Sequence, residues 1–372
     1  MAYLVERKRS DGTLRFLACY RDPEGRIRSA GTHATRRAAE RAANREEQKV
    51  LAGSWRDASL GAISFTDYVK NDWLPSKHIE PTTKAAYVSN LNRHFYPFFG
   101  KKLMYQITGS LVQDWVTQGA EGLSPRSIRK YHTMLHSIFK RAVRDQLIVA
   151  NPCEHTELPK IIARKSRTLT PTEYDLLIGA IPDRYRLLVE TAIETGMRWG
   201  ELIALRPRHI DFLRKSVTVE ETIIEVSKKH SPTGERYVAK PYPKDNEPRT
   251  FGVDQDWLDA AAQHIKNLGI GRDQLLFTTR TGTPISRNTF RTRVWQPALK
   301  ASGVDFPVRM HDLRHAHASW LLAEGSDLRS VMERMGHAQI QTTQKYLHAL
   351  PEADQKNLDA LARARRRRQQ PD

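Results

Sequence analysis

Near its start the chain alternates in the manner of a sheet. Leu14, Phe16, Ala18 and Tyr20 interleave with Arg15, Leu17, Cys19 and Arg21, the period of two that marks a half-buried strand. Asp11-Gly12 before it and Asp22-Pro23-Glu24-Gly25 after it are turn signals. Residues 3–7 and 26–31 are therefore expected to pair with it as outer strands. From Thr35 to Leu51 the text turns rich in Ala and Arg, with Ala38, Ala39, Ala42 and Ala43 gathered on one side and Thr35 placed to cap a helix. Residues 1–56 thus read as a three-stranded sheet with one helix, and Gly53 to Ala62 reads as a linker.

The pattern then changes period. Residues 65–74, 82–94, 111–119 and 124–149 are helical, separated by Pro75, Pro81, Gly100 and Gly122. In the last of these Ile128, Tyr131, Leu135, Ile138, Phe139 and Val143 form the apolar stripe, interleaved with Lys130, His132, Lys140, Arg141 and Arg144. Ser124-Pro125 supplies a cap and a proline at the first helical position. Residues 64–152 are expected to be a compact helical domain with a basic face, followed by a basic linker at 159–167. A third domain, residues 169–350, opens with helices at 171–179, 184–195 and 199–205. A strand-like run at 216–226 and a hairpin at 236–253 follow, and helices resume at 257–268. Residues 351–372 are a tail ending in the Arg365–Arg368 run. The fold class is α+β and multidomain: a small sheet plus helix, a helical domain, and a mainly α domain with a small β-sheet.

Composition narrows the class. The 372 residues carry 60 Lys+Arg against 42 Asp+Glu, a formal net charge of +18. An apolar fraction of 39% with seven Trp argues against a disordered chain. No apolar run approaches the roughly 18 residues of a membrane span, so no membrane partner is expected. MAYLVERKRSDG lacks an apolar signal core, which points to the cytoplasm. Two cysteines, Cys19 and Cys153, argue against a disulfide framework or a Cys-based zinc site. The positive excess favours a polyanion such as nucleic acid.

Three segments carry candidate chemistry. In Thr195-Gly196-Met197-Arg198-Trp199-Gly200-Glu201-Leu202, Gly196 breaks one helix and Arg198 opens the next, a place suited to a phosphate or to an ordinary turn. In His311-Asp312-Leu313-Arg314-His315, helical spacing puts His311, Arg314 and His315 on one face and Leu313, Ala316, Trp320 and Leu321 on the other. In the third, Gly336-His337 is followed nine residues later by Tyr346, with Thr342 or Thr343 able to cap its helix. Each alone is weak.

Taken in order, these segments resemble the boxes of the tyrosine recombinase, or phage integrase, family: T-G-x-R-x-x-E-L, H-x-L-R-H, and L-G-H with Tyr nine residues on. Met335 stands where Leu is usual. The resemblance implies that Tyr346 attacks a scissile phosphate of duplex DNA to form a 3′-phosphotyrosine. Arg198 and Arg314 would hold the non-bridging oxygens, His311 would accept the phenolic proton, and His337 would add a hydrogen bond. The family's hairpin lysine, which protonates the leaving oxygen, would be Lys244, with Lys240 as rival. No cofactor and no metal are implied, and neither a Walker loop nor an H-E-x-x-H motif is present. The implied partners are core and arm attachment sites, a homotetramer on DNA, a DNA-bending host factor and a directionality factor. Residues 1–56 favour an integrase that binds arm sites over a chromosome-dimer resolvase of the same family, the two-domain clamp ahead of the Gly-His…Tyr box argues against a topoisomerase-like enzyme, and the intact residue set argues against an inactive DNA-binding regulator.

Overall fold

The computed structural model describes residues 2–162, 167–241 and 248–336, and the chain divides into two compact units. One comprises Met1–His78 with Tyr87–Ile161; the other comprises Ile79–Ala86 and the residues from Ile162 onward. Among the described residues no helix is long and apolar enough to cross a membrane.

In the first unit, β1 (Tyr3–Lys8), β2 (Leu14–Arg21) and β3 (Ile27–His33) form an antiparallel sheet in that order, as the alternation predicts. Helix α1 (Arg36–Leu51), capped by Thr35, lays Ala39 and Ala43 against Ala18; side chains this small let helix and sheet approach closely. The expected linker is tied down on both sides through Trp55, Arg56 and Asp57. Trp55 donates to the Tyr20 hydroxyl at 2.9 Å, and Asp57 pairs at 2.6 Å with Arg28, which also holds the buried Asp22 at 2.9 Å. Arg56 between them donates to the Ile148 carbonyl at 2.7 Å.

The helical part of this unit contains α2 (residues 65–73), the part of α3 (81–99) from Tyr87 onward, α4 (109–119) and α5 (Pro125–Arg144). Phe65, Trp73, Phe95, Phe99, Trp115 and Phe139 form its core. The two indoles meet their polar need on backbone, Trp73 on the Ser137 carbonyl and Trp115 on the His94 carbonyl. Helix α5 begins on Ser124 as predicted but stops at Arg144 rather than running to 149. Asp145 is taken by Arg141 and by the Tyr68 hydroxyl, and Gln146 turns to φ 60°, which a helix cannot continue through.

The second unit is built on α6 (Pro171–Gly179), α7 (Asp183–Thr195), α8 (Trp199–Leu202), α9 (Gln255–Leu268), α10 (residues 287–301), α11 (Met310–Ala323) and α12 (Leu328–Met335). Its strands are β4 (Ile210–Asp211), β5 (Ser216–Val219), β6 (Thr222–Glu225), β7 (Tyr237–Lys240) and β8 (Arg249–Gly252). The pairing corrects two expectations. The run at 216–226 is two strands, and the segment at 236–253 is not a hairpin of its own: β6 pairs with β7, while β5 lies between β4 and β8. The chain breaks after Val219 because Glu221 leaves the ladder to meet Arg206 at 2.5 Å and Arg208 at 3.1 Å. Two residues separate β5 from β6, but eight separate β7 from β8, so the ribbon carries extra chain on its returning side.

Candidate active site

Helix α7 ends in Gly196 at φ 60°, and a side chain there would also collide, since a Cβ would lie 2.7 Å from His317 and 2.9 Å from the Met335 sulfur. Two residues later Arg198 caps α8 in extended conformation. Its backbone N–H donates to Glu201 Oε2 at 3.0 Å and its Nη1 to Oε1 at 3.0 Å, so one carboxylate fixes both the turn and the guanidinium. Arg198 Nη2 then donates to the Gly336 carbonyl at 2.8 Å, 138 residues away. Gly336 is the matching turn at the end of α12, also at φ 60°.

Arg314 draws these two turns together. It is 2% exposed, donating through Nη1 to the Gly196 carbonyl at 2.5 Å and through Nη2 to the Met335 carbonyl. A guanidinium at the carbonyl ends of two helices meets orphan acceptors and the negative ends of both dipoles. Its place corrects the two-face reading of α11. That helix packs on α7 and on α12, so Leu313, Arg314, Ala316, His317, Ala318 and Ser319 are all buried. His311 instead opens to solvent at the helix start and lines a cleft of about 570 Å³ with Arg198, Trp199, Thr222, Glu225 and Arg287. Desolvation against the cleft wall, reinforced by His315, Arg314 and Arg287, lowers its pKa to about 4 although its edge meets water. His311 is thus neutral at pH 7, its ring a proton acceptor but a weaker base than an ordinary imidazole.

Behind the cleft lie residues that no motif singled out for a role. The side chain of Glu201 is 1% exposed and pairs at 2.5 Å with Arg249. Burial opposes its charge, but the hydrogen bond from Arg249 and the charges of Arg249 and Arg198 prevail and keep its pKa lowered. His317 Nδ1 meets the Ile193 carbonyl at 2.7 Å, and Arg334 donates to its Nε2 at 3.0 Å. The proton therefore sits on Nδ1 and the ring is neutral, in keeping with a pKa lowered by burial, and then by Arg334, to about 4. The folded value lies below the ordinary 6.5, so the unfolded chain binds the extra proton first. Stability is then full above about pH 6.5 and falls as pH drops toward 4, by up to about 1.4 kcal/mol per pH unit from this ring. In an NMR titration the His317 ring should still be neutral at pH 5.5; a midpoint near 6.5 would refute this assignment.

Of the six residues expected from sequence, Arg198, His311 and Arg314 come together around the Gly196 and Gly336 turns. Lys244, His337 and Tyr346 lie outside the described residues. Lys240, the rival lysine, ends β7 opposite Thr222 and is ion-paired with Glu80. Among the described residues no group of three His, Cys, Asp or Glu side chains is placed to hold a metal ion.

Residues 167–353, half of the chain, match the model of the phage integrase family, and residues 65–118 match the N-terminal SAM-like domain of phage integrases. The ICEBs1 integrase of Bacillus subtilis is 27% identical over 357 residues, covering 90% of this chain and 92% of that protein. Among solved structures, the Tn1549 transposon integrase in complex with a circular intermediate DNA superimposes with a TM-score of 0.68 at 19% identity, covering 80% of this chain and 99% of that one. A lambda integrase dimer bound to a COC′ core site gives a TM-score of 0.60 at 22% identity, covering 92% and 93%. At such identities the likeness speaks to the fold.

Proposed function

The chain belongs to the phage integrase family and is a site-specific DNA recombinase, and from that premise we propose how its residues divide the reaction. Tyr346 attacks the scissile phosphorus. The Oη–P bond forms, the bond from phosphorus to the 5′ oxygen breaks, and the product is a 3′-phosphotyrosine with a free 5′ hydroxyl. His311, neutral at pH 7, takes the phenolic proton, and Lys244 gives one to the leaving oxygen. Arg198 and Arg314 stabilise charge growing on the non-bridging oxygens, with His337 donating beside them. The reverse attack, by the 5′ hydroxyl of another strand, joins the exchanged ends. The phosphodiester energy is kept in the covalent link, so no ATP enters the balance.

One observation carries this reading. Both arginines donate to the peptides of Met335 and Gly336, immediately before His337, so the Arg box and the His-Arg box are anchored where the segment bearing His337 and Tyr346 begins. With their planes fixed by protein carbonyls, the guanidiniums are oriented before phosphate arrives, which is how preorganised charge lowers a barrier.

By the same reading residues 1–56 bind arm sites, 64–152 the core site, 169–350 catalyse, and 351–372 are a tail. The working form is a homotetramer on DNA, assisted by a DNA-bending host factor and a directionality factor in the bacterial cytoplasm. The test is strand transfer between two attachment-site duplexes in EDTA without ATP. The full chain should join them; a requirement for metal or ATP would refute the mechanism. The chain lacking residues 1–56 should still cut a core site but integrate poorly, and equal integration by it would remove the arm-site assignment.

A further inference from the structure

Arg249 is absent from the reaction just described, yet it closes a ring around the catalytic arginine. It is the first residue of β8, paired in the ladder with Val219, and its side chain is 10% exposed. Its Nη2 holds Glu201 Oε2 at 2.5 Å, and its Nε donates to the Arg334 carbonyl at 3.1 Å. The guanidinium also lies against Gly336, where a Cβ would meet it at 3.1 Å. Glu201 in turn holds Arg198, and Arg198 returns to the Gly336 carbonyl at 2.8 Å. The circuit runs from Arg249 through Glu201 and Arg198 to the end of α12 and back to Arg249.

We propose that Arg249 is a positioning residue for strand cleavage, one that fixes Arg198 and the peptide entering His337 to the strand that follows the Lys244 segment. This rests on the recombinase chemistry above. The physical argument is that Glu201 has two tasks and few ways to meet them. A carboxylate with 1% of its side chain exposed cannot draw on water, so its orientation is set by its cationic partners. Arg249 and Arg198 approach it from two sides, and the oxygen that takes Arg249 also takes the Arg198 N–H. Without Arg249 that oxygen has lost its charged partner, and the remaining charge pulls the group toward Arg198 alone. The Arg198 guanidinium then turns with it, and the Gly336 peptide loses the second arginine that packs on it. None of these groups touches the phosphate except Arg198, so the loss falls on reaction geometry rather than on DNA affinity.

The experiment is single-turnover cleavage of a nicked core-site duplex by full-length protein, with DNA affinity and thermal unfolding measured alongside. Arg249→Met should slow adduct formation at saturating DNA by roughly 10- to 100-fold, the scale of a misplaced reacting group, while half-saturation shifts by less than about threefold. Arg249→Lys keeps the charge on Glu201 and should recover part of the rate; it also carries the test if the methionine variant fails to fold. Glu201→Gln should be slowed similarly, and the double variant Glu201→Gln/Arg249→Met should be no slower than the slower single one, because both break the same ring. The proposal is overturned if Arg249→Met cleaves within twofold of wild type or, should that variant fail to fold, if Arg249→Lys does. It is also overturned if the rate loss is matched by lost affinity, or if the two single effects multiply. Failure of the wild-type protein itself to form an adduct is a separate result: it refutes the recombinase chemistry and leaves Arg249 a structural ion pair.

Discussion

Tyr346→Phe should bind core-site DNA with wild-type affinity and form no covalent adduct on a nicked suicide substrate, the largest effect expected of any single substitution. The change removes one oxygen and leaves the ring. Affinity comes from many phosphate contacts spread over a chain of net charge +18, and Tyr346 carries none of that charge. Cleavage, in contrast, has no substitute nucleophile: water at the same phosphate would release a hydrolysed end in place of a protein-linked one. Deleting a nucleophile typically costs on the order of 10⁶-fold, so the adduct should vanish from a denaturing gel. An adduct that persists in the phenylalanine variant would place the nucleophile elsewhere in the chain.

Arg314→Ala should fail in two ways at once. As a partner of the reacting phosphate its loss should slow cleavage by roughly 10²- to 10³-fold. As a buried staple its loss should also lower stability. The Gly196 and Met335 carbonyls would be left without the donor that satisfies them, at about 1–3 kcal/mol each. For a unit of this size that corresponds to a fall in melting temperature on the order of 5–15 °C. Arg198→Ala supplies the contrast, because its side chain is 28% exposed and the cleft can admit water in its place. It should lose cleavage with a smaller shift in melting. Parallel melting and cleavage measurements on the two variants separate the roles; equal melting shifts would contradict the staple.

The local turns and caps were more legible in the sequence than the packing. Gly196, Arg198 and Glu201 could be placed because a helix break followed by a capped helix is local information, and the same holds for Ser124 at the start of α5 and for the alternation through β2. The strand pairing was not legible. Val217 and Val219, then Ile223 and Ile224, read equally well as one strand or two, and which partner each chooses depends on residues elsewhere: Glu221 on Arg206, and the extra chain before Arg249. The face of Arg314 was misread for a related reason. Helical periodicity sorts residues into inside and outside, whereas α11 has α7 and α12 against it and buries a charge by pairing it with backbone, which leaves no pattern in side-chain polarity. Arg249, Arg334 and His317 escaped notice because a buried ion or a fixed tautomer is a tertiary fact, and in the sequence each is one more cation in a basic chain.

The uneven ribbon has an evolutionary consequence. The β6–β7 ladder closes the tip of the ribbon and the β5–β8 ladder closes its base, so the number of residues between Lys240 and Arg249 is constrained by neither. Lengthening such a segment is inexpensive, since doubling a loop costs only about 0.6 kcal/mol in closure entropy. Insertions and deletions should therefore accumulate there while the spacing from Gly196 to Arg198, and from His311 to Arg314, stays rigid under helix geometry. If Lys244 has the proposed role, its counterpart in relatives would drift in alignment, and counting residues from either neighbouring box is the wrong ruler for finding it.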